Sequence, residues 1–208
     1  VLDCICFVKY DSSMRSILIT GGAGFIGINT AAYFLEKGDR VTIFDNLSRN
    51  GTKENLMWLK KSYPRVNTLI HDIRDRNAVE KAVVGQDIVF HFAAQVAVTG
   101  SVINPREDYD INAGGSINLL EAVRVKNPKA IVIYSSTNKV YGSLETVKII
   151  EKNTRYEMPD FPNGIAETQP LDFHSPYGCS KGAADQYMHD YARIYGLKTI
   201  VFRQSCIY

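Results

Sequence analysis

The 208-residue sequence lacks three features that would each restrict its function. It contains no apolar run of about 18 residues, so no segment is predicted to span a membrane. Its net charge is only +2, which gives no electrostatic case for binding nucleic acid or a membrane surface. Its 4 cysteines are irregularly spaced, unlike the paired ligands of zinc sites or the dense cysteines of disulfide frameworks. We therefore expect reduced thiols in a cytoplasmic protein without a metal site.

The first 13 residues stand apart from the rest of the sequence. They are apolar but have neither a basic start nor a small-residue cleavage site, so a signal peptide is not predicted. Met14 directly precedes the first predicted strand. We interpret residues 1–13 as a leader of uncertain origin and residues 14–208 as a single domain that carries the functional residues.

What the sequence does contain is an alternation of short β-rich runs with helix-length amphipathic runs. Most of the strand-like runs are continuously apolar, as expected when helices cover both faces of a parallel sheet. The alternation predicts a doubly wound α/β fold of the Rossmann type. Only residues 143–176 break the rhythm, and their lack of periodicity predicts a long connection that is functional or mobile. The predicted strands are 16–20, 40–45, 66–71, 87–92, 130–135 and 199–203, and the predicted helices are 25–36, 53–61, 77–84, 108–124 and 177–195.

Three glycines lie between the first predicted strand and the first predicted helix. Gly21 permits a tight turn, Gly24 lets the backbone approach a pyrophosphate, and Gly27 allows close helix–strand packing. The helix N-terminus then offers free N–H groups to phosphates. Asp45, at the end of the second strand, can accept hydrogen bonds from both ribose hydroxyls and would repel a 2′-phosphate. This arrangement favours NAD over NADP.

Two side chains near these strand ends allow alternative interpretations. Arg49 can in principle hold a 2′-phosphate, but Asp45 carries more weight because it sits at the strand end itself. Asp72 follows the third strand, where its carboxylate can meet the adenine amino group. Alternatively, Asp72 caps the helix before Asn77, a position that aspartate favours.

A candidate catalytic group lies further along the chain. Tyr177 and Lys181 have a Tyr-x-x-x-Lys spacing that puts them on one face of a predicted helix. A lysine ammonium beside a phenol lowers its pKa from about 10, which makes Tyr177 a candidate general base. Thr137 leaves the fifth predicted strand at its C-terminal end, where open α/β sheets bind ligands. It can hydrogen-bond a reacting oxygen or, with Ser135 and Ser136, simply end the strand.

These motifs occur in order along the chain, and residues 14–208 resemble the extended short-chain dehydrogenases/reductases that act on nucleotide sugars. The resemblance rests on runs at 21–27, 45–46, 72–73, 91–95 and 134–142 together with Asn112 and the Tyr-x-x-x-Lys pair. It implies a tightly bound NAD, a homo-oligomer, and catalysis by Thr137, Tyr177 and Lys181. It also implies that NAD is contacted by Gly21, Gly24, Phe25, Ile26, Gly27, Asp45, Asn46, Ser48, Arg49, Asp72, Ile73, Ala93, Ala94, Gln95, Asn112, Ser135, Tyr177 and Lys181.

Within this family, residues 45–49, 135–142 and 172–187 resemble epimerases that invert C2 of a CDP-linked sugar. The resemblance implies that Tyr177 takes the C2 hydroxyl proton while a hydride passes to NAD, and that the hydride then returns to the other sugar face. Dehydratases of this family carry Asp-Glu directly after the active-site Thr. Asn138 and Lys139 stand there in this sequence and cannot do that acid/base work.

Two alternatives remain open from the sequence. One is another epimerase of the family, resembling UDP-glucose 4-epimerase, and the other is a non-catalytic NAD-binding module. Family members continue for roughly another half-domain beyond the equivalent of Tyr208. We therefore expect the C-terminal substrate region to be missing and apolar surface to be exposed where it would pack.

Overall fold

The fold is built around a parallel sheet of six strands with helices on both faces. The computed structural model describes residues 14–205 and residue 207, so the proposed leader at 1–13 lies outside the described residues. The strands are β1 (Ser16–Thr20), β2 (Arg40–Phe44), β3 (Asn67–Leu69), β4 (Ile88–His91), β5 (Ile131–Thr137) and β8 (Lys198–Gln204). Their order in the sheet is β3-β2-β1-β4-β5-β8, and every pairing is parallel. The predicted doubly wound α/β fold is confirmed.

Seven α-helices flank the sheet in the described part of the chain. No helix there is long and apolar enough to cross a membrane. A separate two-stranded hairpin, β6 (Ile150–Glu151) and β7 (Tyr156–Glu157), lies between β5 and the last helix. The helices are α1 (Phe25–Glu36), α2 (Thr52–Ser62), α3 (Arg76–Ala82), α4 (Val98–Ile103), α5 (Pro105–Tyr109), α6 (Gly115–Lys126) and α7 (Ser175–Tyr195).

The central strand β1 is buried on both of its faces. Ile17 and Ile19 pack with residues of α1 and α2, whereas Leu18 packs with residues of α3, α6 and α7. All three side chains are fully buried. This two-sided burial explains why the strand reads as a continuous apolar run rather than an alternating one.

One end of the sheet is less well covered. On β8, Ile200 is 45% exposed and Phe202 is 51% exposed. The neighbouring β5 side chains Ile131 and Ile133 are only partly buried. The exposed Ile200 and Phe202 side chains agree with the expectation from the sequence that the chain exposes apolar surface.

The long helix predicted at 108–124 is divided in the structure. It consists of α5, a π-helical turn at Asp110–Gly114, and α6, and α4 precedes it without having been predicted. The π turn surrounds the buried side chain of Asn112, which bonds polar groups on neighbouring segments. π-Helical turns are rare, usually occur as a single turn inside an α-helix, and are frequent at functional sites.

The connection at 143–176 is less structureless than predicted. Besides the β6–β7 hairpin, its final part is fixed against the body of the domain. The Asp172 N–H donates to the Val140 carbonyl at 2.9 Å. A Cβ on Gly182 would lie 2.5 Å from the Phe173 ring, so only glycine allows this contact. Helix α7 begins at Ser175 rather than Tyr177 because Pro176 fits its first turn.

A buried histidine connects the sheet to α6. His91 Nδ1 lies 2.8 Å from Thr20 Oγ1, and Nε2 lies 2.9 Å from Ser116 Oγ. The Ser116 hydroxyl donates to the Asn112 carbonyl, so Nε2 carries the ring proton and Nδ1 accepts from Thr20. Burial, aided by the charge of Lys181, lowers the pKa of His91 to about 3.

This histidine should make stability depend on pH. The unfolded chain binds a proton on His91 below about pH 6.5, whereas the folded chain excludes it, so the free energy of unfolding falls as pH drops toward 3. Between about pH 7.5 and about pH 5 the loss from this residue is roughly 2 kcal/mol. Urea unfolding at both pH values should show a smaller loss in His91→Gln than in wild type. Equal losses in the two proteins would contradict this assignment.

Candidate active site

The glycine-rich loop after β1 packs closely against the ends of β2 and β4. Gly21 has φ +67°, and its N–H donates to the Phe44 carbonyl at 2.8 Å. A Cβ on Gly21 would lie 2.6 Å from the Ala93 backbone nitrogen, and one on Gly27 would lie 2.4 Å from the Gly21 oxygen. Both positions therefore require glycine because backbone approaches too closely for any side chain.

Asp45 fixes this loop to the end of β2. Its Oδ2 accepts the Ala23 N–H at 3.0 Å and its Oδ1 accepts the Leu47 N–H at 2.8 Å. An ionised carboxylate has about four acceptor positions, so each oxygen can still accept from a ribose hydroxyl. The structure thus adds a scaffolding role to the ligand role predicted for Asp45.

The neighbouring acidic side chain, Asp72, does not cap a helix. The cap of α3 is Asp75, whose side chain accepts the Ala78 N–H, so the capping alternative for Asp72 is wrong. Asp72 instead accepts from the Arg74 guanidinium and from the Asn46 amide at 2.8 Å. The Arg74 hydrogen bonds hold the pKa of the Asp72 carboxyl well below its ordinary value.

The proposed catalytic residues converge at the ends of β5 and α7. Thr137 is the last residue of β5, and Tyr177 and Lys181 lie in the first two turns of α7. The Lys181 ammonium donates to the Ser135 carbonyl at 2.6 Å and stands 4.3 Å above the Tyr134 ring. Burial lowers the pKa of Lys181 to about 7.

The pKa of Tyr177 is shifted in the direction opposite to the sequence prediction. Burial raises its pKa above the ordinary value of 10, opposed by a hydrogen bond with Thr137. The hydrogen bond with Thr137 favours the phenolate, which is the form that a general base requires.

Two cavities meet at the glycine-rich loop and form a single groove. One contains about 100 Å³ and lies at the β2 and β3 ends, and the other contains about 380 Å³ and reaches Thr137, Tyr177 and Lys181. The first is lined by the predicted residues Gly21, Gly24, Asp45, Asn46, Ser48, Arg49, Asp72, Ile73, Ala93 and Ala94. The second is lined by Gly21, Gly24, Phe25, Ile26, Gly27, Arg49, Ala94, Ser135, Thr137, Tyr177 and Lys181.

Two predicted cofactor contacts do not line either cavity. Asn112 is 1% exposed, and its side-chain amide bonds Gln95, Asp108 and Ser180. The Gln95 side chain folds back onto Ala97. That Asn112 and Gln95 contact the cofactor directly stays a prediction, and in this structure both side chains bond protein groups. Asn112 supports the wall of the groove from behind because its interior hydrogen bonds hold the Gln95 backbone.

Gln204 is a site residue that sequence reasoning missed. It pairs with Thr137 in the β5–β8 register, lines the larger cavity, and accepts the Ser135 hydroxyl at 2.5 Å. The predicted last strand stopped at 203, one residue short. Gln204 could have been predicted from the sequence, because it follows the last predicted strand and the C-terminal ends of neighbouring parallel strands lie at the same edge of a sheet.

Comparison with known proteins identifies the family. A family model described as GDP-mannose 4,6 dehydratase matches residues 18–206. The chain belongs to this family. The predicted resemblance to extended short-chain dehydrogenases/reductases acting on nucleotide sugars is confirmed by this match and by the relatives below.

Individual relatives include both epimerases and dehydratases. CDP-paratose 2-epimerase from Salmonella typhi is 55% identical over 194 residues, which cover 92% of this chain and 57% of that protein. A putative UDP-glucose 4-epimerase from Methanocaldococcus jannaschii is 36% identical, with coverages of 92% and 56%. The chain therefore spans little more than half the length of these relatives.

Solved structures show the same fold in NAD-bound enzymes. The dTDP-glucose 4,6-dehydratase of Streptomyces venezuelae with NAD bound is 30% identical, with a TM-score of 0.76 over 90% of this chain and 55% of that chain. The UDP-glucose 4-epimerase of Brucella ovis in complex with NAD is 30% identical, with a TM-score of 0.72 over 91% and 51%.

The tight glycine packing can be tested by a matched pair of variants. Gly27→Ala should destabilise the protein by about 1–3 kcal/mol because its Cβ would meet rigid backbone 2.4 Å away. Gly114→Ala should be neutral or stabilising, since its φ is −62° and the nearest such contact is 3.8 Å. Urea unfolding of both variants measures the difference. Equal stability would show that the loop can move away from α1.

Proposed function

We propose that this chain is the NAD-binding, catalytic part of a nucleotide-sugar epimerase. Its proposed reaction converts CDP-paratose to CDP-tyvelose by inversion at C2 of the sugar. The observation that carries the proposal is the placement of Thr137, Tyr177 and Lys181 on the same groove as the glycine-rich loop. The 55% identity to a CDP-paratose 2-epimerase supports the choice of sugar and carbon.

The groove residues fit an extended dinucleotide. The first turn of α1 has no side-chain cap, so its N–H groups remain available to a pyrophosphate. Asp45 retains acceptor positions for a ribose, and its negative charge disfavours a 2′-phosphate. We infer that the adenosine half lies beside Asp45 and Asp72 and the nicotinamide half beside Tyr177 and Lys181.

The residues of this chain act on the C2 hydroxyl proton. NAD, held by the glycine-rich loop, Asp45 and Lys181, would supply the hydride acceptor and donor for C2. Tyr177 takes the proton from the C2 oxygen and gives it back after the 2-keto sugar has turned its other face. Thr137 hydrogen-bonds Tyr177, which favours the phenolate, and holds the same substrate oxygen. Lys181, anchored on the Ser135 carbonyl, positions the ribose and contributes positive charge.

A second candidate is epimerisation at C4 of a UDP-sugar. It is favoured by the 36% identity to a putative UDP-glucose 4-epimerase. Dehydration is disfavoured although dehydratases occur among the relatives, because Asn138 and Lys139 cannot supply the required acid and base. A non-catalytic NAD-binding module would have no use for the Thr137, Tyr177 and Lys181 group.

Isotope labelling distinguishes these functions. CDP-paratose carrying deuterium at C2 should yield CDP-tyvelose that keeps deuterium at C2, without added reductant, as read by mass spectrometry and NMR. Deuterium at another carbon, or turnover of UDP-glucose alone, would refute the C2 assignment. Release of a dehydrated sugar would instead show dehydratase activity.

Tyr177→Phe should remove most turnover while leaving the dissociation constant for NAD nearly unchanged, because the variant loses the phenolic base and little packing. Tyr187→Phe is the matched control, since Tyr187 lies on the same helix and is 44% exposed. Epimerisation rates and NAD titration by calorimetry measure both effects. Full activity of Tyr177→Phe would exclude the proposed base.

We also propose a homo-oligomer in the cytoplasm. Tyr187, Ile194 and Tyr195 are exposed and lie along one side of α7 with Tyr191. An apolar stripe of this kind on a surface helix is typical of association sites. Light scattering coupled to size exclusion tests the assembly, and Ile194→Glu should shift the protein toward the monomer.

A further inference from the structure

Beneath the candidate active site lie two buried side chains of opposite charge that make no direct ion pair. Asp108 is fully buried and Lys181 is 4% exposed. Within residues 14–205 and 207, neither has an oppositely charged group within 4.0 Å. Burying an uncompensated charge is costly, so each needs a nearby counter-charge or a strong hydrogen-bond environment.

The other buried carboxylate near Lys181 is already compensated. Asp185 lies one turn further along α7 and accepts from the Arg203 guanidinium at 2.9 and 3.0 Å. It also accepts the Ser136 hydroxyl at 2.6 Å. Asp185 is therefore paired with Arg203, whereas Asp108 has no cationic group within 4.0 Å in the described part of the chain, and both carboxylates contribute negative charge near Lys181.

Asp108 is linked to Lys181 through the preceding residue of α7. The Ser180 hydroxyl donates to Asp108 Oδ2, and the Asn112 amide donates to Asp108 Oδ1 at 3.1 Å. Asn112 also donates to Ser180 at 3.0 Å and accepts the Gln95 N–H at 2.9 Å. One buried network therefore joins the wall of the cofactor groove to the turn that carries Lys181.

The geometry points to Asp108 as a positioning residue. We propose that its buried carboxylate is the counter-charge of the Lys181 ammonium and that, through Ser180, it fixes the α7 turn between Tyr177 and Lys181. The consequence for turnover rests on the proposed function, whereas the charge relation between Asp108 and Lys181 does not.

The titration behaviour agrees with this arrangement. Burial lowers the pKa of Lys181, and the charges of Asp185 and Asp108 oppose that lowering. Burial raises the pKa of Asp108, opposed by the Ser180 hydrogen bond and by Lys181. The other titratable groups around Lys181 are the rings of Tyr134 and His91 and the Tyr177 phenol.

The decisive experiment measures the protonation of Lys181 directly. Lysine labelled with ¹³C at Cε is titrated by NMR in the protein without ligands, and Lys181→Arg identifies the resonance. Asp108→Asn should lower the midpoint of Lys181 by about one pH unit, because the ammonium loses its counter-charge. Glu107→Gln, which removes an exposed carboxylate next in sequence, should leave the midpoint unchanged. An unchanged or raised midpoint in Asp108→Asn would overturn the proposal.

A second variant covers the case in which Asp108→Asn does not fold, as judged by circular dichroism. Ser180→Ala keeps the carboxylate but removes the hydrogen bond that favours its charged form, so the Lys181 midpoint should fall by a smaller amount. An unchanged midpoint in folded Ser180→Ala would also overturn the proposal.

Turnover provides an independent readout. In Asp108→Asn, the pH above which kcat falls should be lower than in wild type, with little change in KM for the CDP-sugar. In Asp108→Glu, this pH should return part of the way to the wild-type value. A pH-independent loss of kcat would assign Asp108 a purely structural role and overturn the proposal. If the wild-type protein turns over no nucleotide sugar, the proposed function fails, while the Lys181 titration still tests the counter-charge.

Discussion

The close backbone approach between the glycine-rich loop and the exit of β4 is the constraint on which the site depends. Gly21 packs against the Ala93 backbone so tightly that no side chain fits between them. The Thr20 hydroxyl reinforces this contact because it accepts the Ala93 N–H and donates to His91. This contact fixes the ends of β1 and β4 relative to each other, and the first residues of α1 line the groove beside them.

The same organisation continues beside Thr137, Tyr177 and Lys181, where backbone groups again position side chains. The Ser135 carbonyl receives the Lys181 ammonium, and the Ser135 hydroxyl reaches Gln204 on the next strand. Interior polar groups are satisfied throughout: in the part of the chain described, no buried side-chain nitrogen or oxygen lacks a hydrogen-bond partner. A polar interior that is fully bonded holds its geometry, because any rearrangement leaves a donor or acceptor unsatisfied.

Sequence reasoning predicted the fold and most groove residues because local patterns determine them. The spacing of Gly21 and Gly27 and the apolar runs of the central strands depend on neighbours in the chain. Sequence reasoning did not predict the interior hydrogen bonds of Asn112 or the upward shift of the Tyr177 pKa. Those properties arise from contacts between segments distant in sequence, such as Asn112 with Ser180, and from burial that a periodicity does not measure. The end of β8 was missed by one residue for the same reason, since its pairing with Thr137 is a long-range property.

The position of β8 in the sheet has a consequence for synthesis on the ribosome. Among the sheet strands that the structure describes, β8 is made last: its partner β5 ends at Thr137, and β8 begins at Lys198. Until β8 emerges, β5 has an unpaired edge, and Gln204 is absent from the site. A nascent chain can therefore assemble the part of the groove beside the glycine-rich loop and Asp45 before the part that includes Gln204.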